Sequence, residues 1–325
     1  MKKTFLSVIL IIVLLPLLAC VTPSQTHHSV SGPTGVERGI VKENGVGTAA
    51  SEAAGNLEKK SPLPYTQVST GHNYTCGLKT DGSVQCWGRD NLGQAKSPAG
   101  IFIQVSACGY HTCGVKKDGK ILCWGADKEG QSTPPNGTFT QVAAGWTHTC
   151  GVSTDGAVLC WGTNIYGQST PPEGTFTQVA AASNHTCGVK TDGTVACWGG
   201  ADDYDDYGYD IAPKGTFTQV ALGNLHSCGL KTDGNIECWG ENLSGQTTPP
   251  DGKFTHISAG NGFFSCAVHS DGSVACWGVD DYGQSTPPAG TFTHVAVADA
   301  HSCGILTDGS LACWGQNVYG QSSPP

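Results

Sequence analysis

Residues 139–174 read FTQVAAGWTHTCGVSTDGAVLCWGTNIYGQSTPPEG, and recognisable copies of this stretch occupy the chain from residue 65 to its last residue. Each copy contains the pattern Cys-x9-Cys-Trp-Gly. The seven copies begin at Tyr65, Phe102, Phe139, Phe176, Phe217, Phe254 and Phe292. Self-similarity at a period near 40 residues predicts a repeat architecture, in which each copy forms one structural unit.

About four short strands are predicted in each copy: the FTQV run, the THTCGV run, the AVLCWG run and a weaker one around GQST. Asp-Gly between the second and third runs indicates a hairpin, and Pro-Pro suits a strand end. Four strands in each of seven units predict an all-β, seven-bladed β-propeller over residues 65–325. The segment Ser61-Pro62-Leu63-Pro64 precedes the first copy much as Pro-Pro-x-Gly-Thr precedes the others, which is the arrangement a closed ring needs.

The two cysteines of each copy lie ten positions apart, on either side of the predicted hairpin. A three-residue loop such as Thr80-Asp81-Gly82 places them at a non-hydrogen-bonded pair, where facing side chains are closest. Cys108 is left over, and we interpret it either as a partly buried free thiol or as a reactive or intermolecular cysteine. The predicted disulfides are Cys76–Cys86, Cys113–Cys123, Cys150–Cys160, Cys187–Cys197, Cys228–Cys238, Cys266–Cys276 and Cys303–Cys313.

The shared pattern is Gly-x-x-His-Thr-Cys-Gly-Val-x-x-Asp-Gly-x-Val-x-Cys-Trp-Gly-x-Asn-x-x-Gly-Gln. It resembles the regulator-of-chromosome-condensation repeat family, in the cysteine-containing version of exported bacterial proteins labelled alpha-tubulin-suppressor-like. The resemblance covers residues 65–325. Members include a nucleotide exchange factor for a small GTPase and a secreted inhibitor of β-lactamases, and both grip a protein across one propeller face. The resemblance therefore implies a binding module and does not indicate the partner.

Residues 1–19 are predicted to form an export signal. Two lysines precede an apolar run from Phe5 to Leu15, and Leu-Leu-Ala comes directly before Cys20. This ending resembles the bacterial lipobox, so we predict lipidation at Cys20; the alternative is an ordinary signal peptide cleaved near Ala19. Residues 20–64 are rich in Ser, Thr, Gly, Pro and Ala and predict a flexible linker. The expected location is the cell envelope, with the protein lipid-anchored and exposed to the periplasm or the cell exterior.

Charge and motif content narrow the function classes. From Tyr65 onward the chain carries 11 Lys and Arg residues and 22 Asp and Glu residues, so this part repels phosphate backbones and no nucleic-acid partner is expected. No P-loop, GxSxG or HExxH motif is present. We expect a binding module without enzymatic activity or cofactor, whose partner is an unknown protein or a glycan. The alternatives are a secreted-type enzyme inhibitor, a calcium-dependent adhesin, an envelope enzyme and a purely structural surface protein.

Two repeated residue types are interpreted as scaffold. A histidine stands two positions before the first cysteine in five copies, and Tyr74 and Phe264 replace it in the other two, which favours packing and hydrogen bonding over a ring of metal ligands. The tryptophan after each second cysteine, from Trp87 to Trp314, is predicted to pack between blades, with ligand recognition as the alternative. The histidines are His111, His148, His185, His226 and His301.

The fourth copy departs most from the others, because it carries four extra residues between Trp198 and Tyr207. We interpret its loop as a protein or glycan recognition patch, a calcium site at Asp202, Asp203, Asp205 and Asp206, or a solvated acidic loop. The residues concerned are Asp202, Asp203, Tyr204, Asp205, Asp206, Tyr207, Tyr209 and Asp210. One rim of the ring is predicted to be a tyrosine-and-acid surface, because corresponding places carry Tyr166, Asp280, Asp281, Tyr282 and Tyr319. The insertion Asn261-Gly262-Phe263-Phe264 is a secondary contact candidate.

Overall fold

The computed structural model describes residues 64–200 and 207–325. The predicted export signal, Cys20 and most of the linker lie outside the described residues, as do Asp202, Asp203, Tyr204, Asp205 and Asp206. The chain divides into two units, Met1–Glu58 and Lys59–Pro325, and the fold below is that of the second unit. No helix in the two described ranges is long and apolar enough to cross a membrane.

Seven three-stranded antiparallel sheets form this unit, one from each copy, so the predicted seven-bladed β-propeller is confirmed. The strands of each blade follow the chain order from the ring's centre outward. The inner strands are Tyr65–Gly71 (β1), Phe102–Cys108 (β4), Phe139–Ala144 (β7), Phe176–Ala181 (β10), Phe217–Leu222 (β13), Phe254–Gly260 (β16) and Phe292–Val297 (β19). The middle strands are Tyr74–Lys79 (β2), His111–Lys116 (β5), His148–Ser153 (β8), His185–Lys190 (β11), His226–Lys231 (β14), Phe264–His269 (β17) and His301–Leu306 (β20). The outer strands are Val84–Gly88 (β3), Ile121–Gly125 (β6), Val158–Gly162 (β9), Val195–Gly199 (β12), Ile236–Gly240 (β15), Val274–Gly278 (β18) and Leu311–Gly315 (β21).

Each blade carries one disulfide between its middle and outer strands, as the hairpin register predicts. Cys76 lies directly opposite Cys86 in the ladder, and the two Cα atoms are 4.0 Å apart. The same pairing holds in the other six blades, with the Cα atoms again 4.0 Å apart. All seven disulfides therefore close the turn that carries Asp-Gly.

The predicted fourth strand around GQST is wrong. The Gln94 side chain accepts the N–H of Leu92 through its Oε1 at 2.8 Å, which folds the segment into a turn. The Gln94 carbonyl then accepts bonds from the next blade, from the hydroxyl of Thr112 at 3.1 Å and the indole of Trp124 at 2.9 Å. Because side chains of the neighbouring blade use this backbone acceptor, the segment joins two blades instead of extending a sheet.

The cores of the molecule lie between blades. Cys76 and Leu78 of the first blade pack against Phe102 and Val105 of the second, and Trp124 packs against the same cluster. Equivalent clusters of buried residues occur at the other seams. This arrangement confirms that the repeated tryptophans pack between blades, where they bury apolar area and donate one hydrogen bond each.

Glutamine side chains of the inner strands connect adjacent blades around the channel. Gln104 accepts the N–H of Val142 at 2.8 Å and donates to the carbonyl of the same residue at 2.8 Å. Gln141, Gln178 and Gln219 make the same two bonds, and Gln67 accepts the N–H of Val105 at 2.9 Å. His256 and His294 replace them in the last two copies, with ring centroids 5.1 Å apart.

The ring closes between the seventh and first blades with the contacts that join the other blades. The Trp87 indole donates to the Gln321 carbonyl at 3.0 Å, as the Trp124 indole does to Gln94. The N–H of Tyr65 donates to the carbonyl of Gly309 at 2.8 Å. Every sheet in the described residues comes from a single copy, so this closure exchanges no strand.

Candidate functional site

One face of the ring carries the segments in which the seven copies differ. The end of each inner strand, the start of the middle strand and the end of the outer strand meet there, since Tyr74 pairs with both Gly71 and Gly88. We call this side the variable face. It consists of the seven turns between inner and middle strands, which surround the channel opening, and the seven loops that follow the outer strands. The opposite side carries the Asp-Gly turns, and we call it the hairpin face.

The rim loops are the loops that follow the outer strands, and they expose apolar and aromatic side chains at their tips. Ile165 and Leu243 are each 80 % exposed, and Val318 is 74 % exposed. Three tyrosines predicted as binding residues, Tyr207, Tyr282 and Tyr319, are exposed, while Tyr166 is half-buried. Seven of the eleven exposed large hydrophobic side chains in the described residues lie at these tips: Leu92, Ile165, Tyr207, Leu243, Tyr282, Val318 and Tyr319.

Two of the predicted binding residues belong to the scaffold instead. Tyr209 is 2 % exposed and takes the position that Gln occupies in the other copies, with its carbonyl accepting from the Trp239 indole at 2.8 Å. Asp280 closes its own loop by accepting from the N–H of Ser285 at 2.7 Å and the hydroxyl of Thr286 at 2.6 Å. Asp281 is exposed and Asp210 is half-buried. Among the described residues, the rim surface therefore consists of exposed apolar tips and tyrosines together with Asp281, while Tyr209 is buried.

Arg89 connects the rim loops to the channel opening. Its guanidinium lies 5.4 Å from the ring centroid of Tyr110 and 5.5 Å from that of Tyr319. The backbone N–H of Arg89 donates to the carbonyl of Asn73 at 2.8 Å, and this bond fixes the backbone at this point. Contacts of a guanidinium with aromatic faces orient both partners, so the rim near Tyr319 and the opening near Tyr110 form one continuous surface.

The channel opening on this face has an aromatic side. His72, Tyr110 and Trp146 come from the first three blades and pack edge to face, with ring centroids 5.0 to 5.6 Å apart. The His72 ring also contacts the carboxylate of Asp299 in the seventh blade through Nδ1. Edge-to-face contacts with His72 and Tyr110 fix the orientation of the Trp146 indole, which is half-buried.

The other side of the opening is polar. Here lie Ser183 and Asn184 of the fourth blade, Asn224 of the fifth and Asn261 of the sixth. Together with Trp146 and Asp299 they line a cavity of about 380 Å³. We call these six residues the central mouth. No residue of the central mouth was predicted as a binding residue, apart from Asn261 in the secondary candidate.

A comparison with protein-family models finds a match in each of the seven blades. The model described as "Regulator of chromosome condensation (RCC1) repeat" matches seven segments of the chain. These segments are residues 65–94, 102–131, 139–168, 176–205, 217–246, 254–284 and 292–321. The chain belongs to the RCC1-repeat family. The resemblance recognised from the repeated sequence pattern is therefore confirmed.

Solved structures agree on the fold. The chain is similar to the entire ectodomain of the receptor kinase CR4 from Physcomitrella patens, with 24 % identity over 78 % of this chain and 74 % of that one, at a TM-score of 0.67. It is also similar to the ectodomain of the receptor kinase ACR4 from Arabidopsis thaliana, with 25 % identity over 78 % and 97 % of the two chains, at a TM-score of 0.65. Prp20p from Saccharomyces cerevisiae matches at 17 % identity over 67 % and 72 %, at a TM-score of 0.53. A comparison with curated proteins gave no significant match.

The repeated histidines of this RCC1-repeat propeller are scaffold, as predicted. His111 is fully buried, and its Nε2 lies 2.7 Å from the hydroxyl of Thr149 in the next blade. That hydroxyl donates to the carbonyl of Gln131 at 2.9 Å, so Nε2 carries the proton and Nδ1 is an unprotonated buried atom without a partner. Burial lowers the pKa of His111 to about 4 and that of His148 to about 3. No group of three His, Cys, Asp or Glu side chains suited to a metal occurs in residues 64–200 and 207–325.

Cys108 is the free cysteine of the described residues, and it lies beside the channel opening. Burial raises the pKa of its thiol to about 12, and the nearby carboxylate of Asp299 adds to this effect. Asn261 approaches its sulfur with Nδ2 at 3.8 Å. A thiol with such a raised pKa stays protonated at neutral pH, which agrees with a buried free thiol and leaves it a poor nucleophile.

The insertion in the sixth copy has two different aromatic residues. Phe264 is fully buried and occupies the position of the repeated histidine. Phe263 is half-buried with a φ of +57°, in the left-handed region that side chains other than glycine rarely adopt. Of these two aromatic side chains only Phe263 is accessible, so only Phe263 can add an aromatic contact on the variable face.

The sequence contained a signal for the central mouth that was not used. Aligning the seven copies shows that the eighth position is His72, Gly109, Trp146, Ser183, Asn224, Asn261 and Asp299. The seventh position is a small residue, Gly, Ala or Cys, in every copy, whereas the eighth changes in nearly every copy and so does the ninth, which is Asn184 in the fourth copy. Trp146 is also the one tryptophan of eight that does not follow a second cysteine. Divergence at these two adjacent positions among otherwise similar copies therefore points to this opening.

Proposed function

We propose that this chain is an exported, lipid-anchored binding module that docks a partner protein on its variable face. The observation that carries the proposal is the concentration of exposed apolar side chains at the rim loops. Exposed apolar groups gathered on one surface are typical of protein interaction sites. In this chain they surround an opening whose side chains also differ from blade to blade.

The rim loops also define the chemistry of the partner. Their apolar tips alternate with acidic residues such as Asp281 and Glu129, both exposed. The lysine beside Glu129 contacts that carboxylate at 3.7 Å. A partner surface with apolar side chains and surrounding Lys or Arg residues is complementary to this pattern, because charges at an interface edge orient the encounter.

Relatives support a protein-binding role, and the beginning of the sequence supports a membrane anchor. Two of the similar solved structures are ectodomains of receptor kinases. The yeast relative Prp20p has been studied for its binding to Gsp1p and histones. The lysines, the apolar run and Leu-Leu-Ala-Cys at the beginning of the chain favour a propeller held at the cell envelope by an acylated Cys20.

Site-specific photo-crosslinking in producing cells tests both parts of the proposal. A crosslinking amino acid at position 243 of the variable face is expected to give one dominant adduct, recovered with the membrane fraction. The same amino acid at position 101 of the hairpin face is the control and gives no such adduct. With Cys20→Ser the adduct leaves the membrane fraction. Equal adducts from both faces would contradict docking on the variable face.

Affinity for the captured protein then checks the mechanism. The triple variant Ile165→Ser, Leu243→Ser, Val318→Ser removes three exposed tips and is expected to weaken binding at least 100-fold. The matched variant Ile101→Ser, Ile103→Ser, Leu159→Ser removes three exposed apolar side chains away from the variable face. It is expected to bind as the wild type does. Because all six side chains are exposed, the melting temperatures of both variants should stay within a few degrees of the wild type.

A further inference from the structure

The cavity in the channel opening has a chemistry different from that of the apolar rim. We propose that the central mouth binds a saccharide, with Trp146 as the stacking surface and the asparagine side chains as hydrogen-bonding groups. This site is separate in its residues from the protein-docking rim loops and goes beyond the proposed function.

The polar groups of the central mouth match sugar hydroxyls. Three asparagines and a serine line the cavity, and only one carboxylate is present. An asparagine amide offers two donors and an acceptor, and a sugar hydroxyl likewise donates and accepts. Within the described part of the chain, the side-chain amides of Asn184 and Asn224 have no protein hydrogen-bond partner. Their donors and acceptors are therefore available to a ligand.

Trp146 supplies the apolar part of the site. A pyranose ring has a face of C–H groups, and an aromatic ring of matching size covers that face while leaving the hydroxyls free to hydrogen bond. Trp146 is half-buried and lines the cavity at one side. His72 and Tyr110 support its indole from behind at centroid distances of 5.3 and 5.6 Å, so its orientation does not depend on the ligand.

The opening is formed before any ligand binds. Backbone bonds join the turns of adjacent blades: the N–H of His72 donates to the carbonyl of Gly109 at 3.0 Å, and that of Trp146 donates to the carbonyl of Ala182 at 2.9 Å. A side chain at Gly109 would place its Cβ 2.7 Å from the Trp146 carbonyl oxygen, so glycine is required for this close approach. A preformed site lowers the entropy cost of binding, which matters for the weak individual contacts that sugars make.

The composition of the cavity argues against other small ligands. No Lys or Arg lines it, so a phosphate or nucleotide lacks a counter-charge. The lining holds one carboxylate, Asp299, and its Oδ2 already contacts Nδ1 of His72, so a cationic ligand would have to displace that contact. An apolar ligand would strip water from three amides without replacing their hydrogen bonds. A volume of about 380 Å³ is within the range of small-molecule sites, roughly 300 to 1,000 Å³.

Calorimetry with a panel of neutral sugars tests the site. The probes are hexoses, N-acetylhexosamines and their β-linked di- to tetrasaccharides, titrated into the purified protein. We expect at least one probe to bind with a Kd below 1 mM. Trp146→Ala is expected to weaken that binding at least 10-fold, Trp146→Phe less, and Asn184→Ala with Asn224→Ala at least 10-fold. These side chains are partly exposed, so unfolding midpoints near the wild type show that the variants fold.

The rim triple variant separates this inference from the proposed function. Ile165→Ser, Leu243→Ser, Val318→Ser leaves every residue of the central mouth in place, so it is expected to keep the sugar affinity of the wild type while losing the partner protein. No heat from any probe with the wild type would overturn the saccharide site and leave protein docking standing. Sugar binding that persists unchanged in Trp146→Ala and in the double asparagine variant would overturn it equally.

Discussion

The hairpin face and the variable face are built by the same seven copies, yet only one of them repeats. On the hairpin face every copy has Asp-Gly, and each Asp accepts a bond from the residue two positions later, as Asp81 does from the N–H of Ser83 at 2.9 Å. The Gly82 carbonyl then accepts the N–H of Phe102 in the next blade at 2.8 Å. On the variable face the eighth and ninth positions differ in nearly every copy, and side chains from both positions line the opening.

The difference shows how a repeat protein separates stability from recognition. Where the polar groups are bonded within the molecule, the residue is repeated because each blade needs the same bond. The side-chain amides of Asn184 and Asn224 make no hydrogen bond within the described part of the chain. No such bond therefore constrains which residue occupies these positions, and the copies diverge there. We therefore expect substitutions in the repeated positions to change the free energy of unfolding, and substitutions on the variable face to change binding.

The largest effect on stability is expected from removing one disulfide. Cys150→Ala with Cys160→Ala opens a loop of about eleven residues, which corresponds to about 3 kcal/mol of unfolding free energy in the chain-entropy model. Urea unfolding measures the loss, and sugar and protein binding should be unchanged while the protein is folded. Cys108→Ala is the matched control, since that thiol is not in a disulfide. A loss equal to that of the pair in this control would break the distinction between repeated and unique cysteines.

An intermediate effect is expected from replacing one buried histidine, and it depends on pH. The unfolded chain binds protons at its histidines below pH 6.5, whereas the folded state keeps His148 neutral down to about 3. The stabilisation is therefore complete above pH 6.5 and decreases as the pH falls, by about 1.4 kcal/mol per pH unit for each such histidine. His148→Phe introduces the residue that the sixth blade has at this position, Phe264. It should reduce the slope of unfolding free energy against pH by the contribution of one histidine. Urea unfolding between pH 6.5 and 4.5 measures it, and an unchanged slope would contradict the assignment.

The smallest effect on stability is expected at Arg89, which lies between the repeated scaffold and the residues of the variable face. Arg89→Met keeps the length of the side chain and removes the guanidinium between Tyr110 and Tyr319. Such contacts contribute about 0.5–1 kcal/mol at exposed sites, so the free energy of unfolding should fall by no more than that. Thermal unfolding of the variant beside the wild type gives the value. A loss above 2 kcal/mol would place Arg89 with the scaffold residues.

Residue patterns were sufficient for the scaffold. The Cys-x9-Cys spacing with a central Asp-Gly predicts the register that places Cys76 opposite Cys86, and the structure has it. The exchange of His for Tyr74 and Phe264 indicated packing, and these side chains are fully buried. Such inferences succeed because strand alternation and turn geometry act over a few residues of chain.

Contacts between blades could not be predicted in the same way. Tyr209 has the appearance of a surface residue in an acidic loop, but it fills the place of a glutamine under the next blade and is buried. The GQST segment has the appearance of a strand, but its glutamine carbonyl accepts a hydrogen bond from the tryptophan indole of the next blade, as Gln94 does from Trp124. In both cases the partner comes from a different copy, 30 residues further along the chain.

The sequence by itself determined the number of blades, the hairpin register, the disulfides and the family, because each of these depends on a pattern repeated within one copy. The tertiary structure alone decided which unrepeated residues meet. His72 and Asp299 are separated by 227 positions and become neighbours only because the ring closes. The central mouth gathers one or two residues from each of five blades, and no local pattern connects them. These residues meet because ring closure brings the seven turns between inner and middle strands around one channel opening.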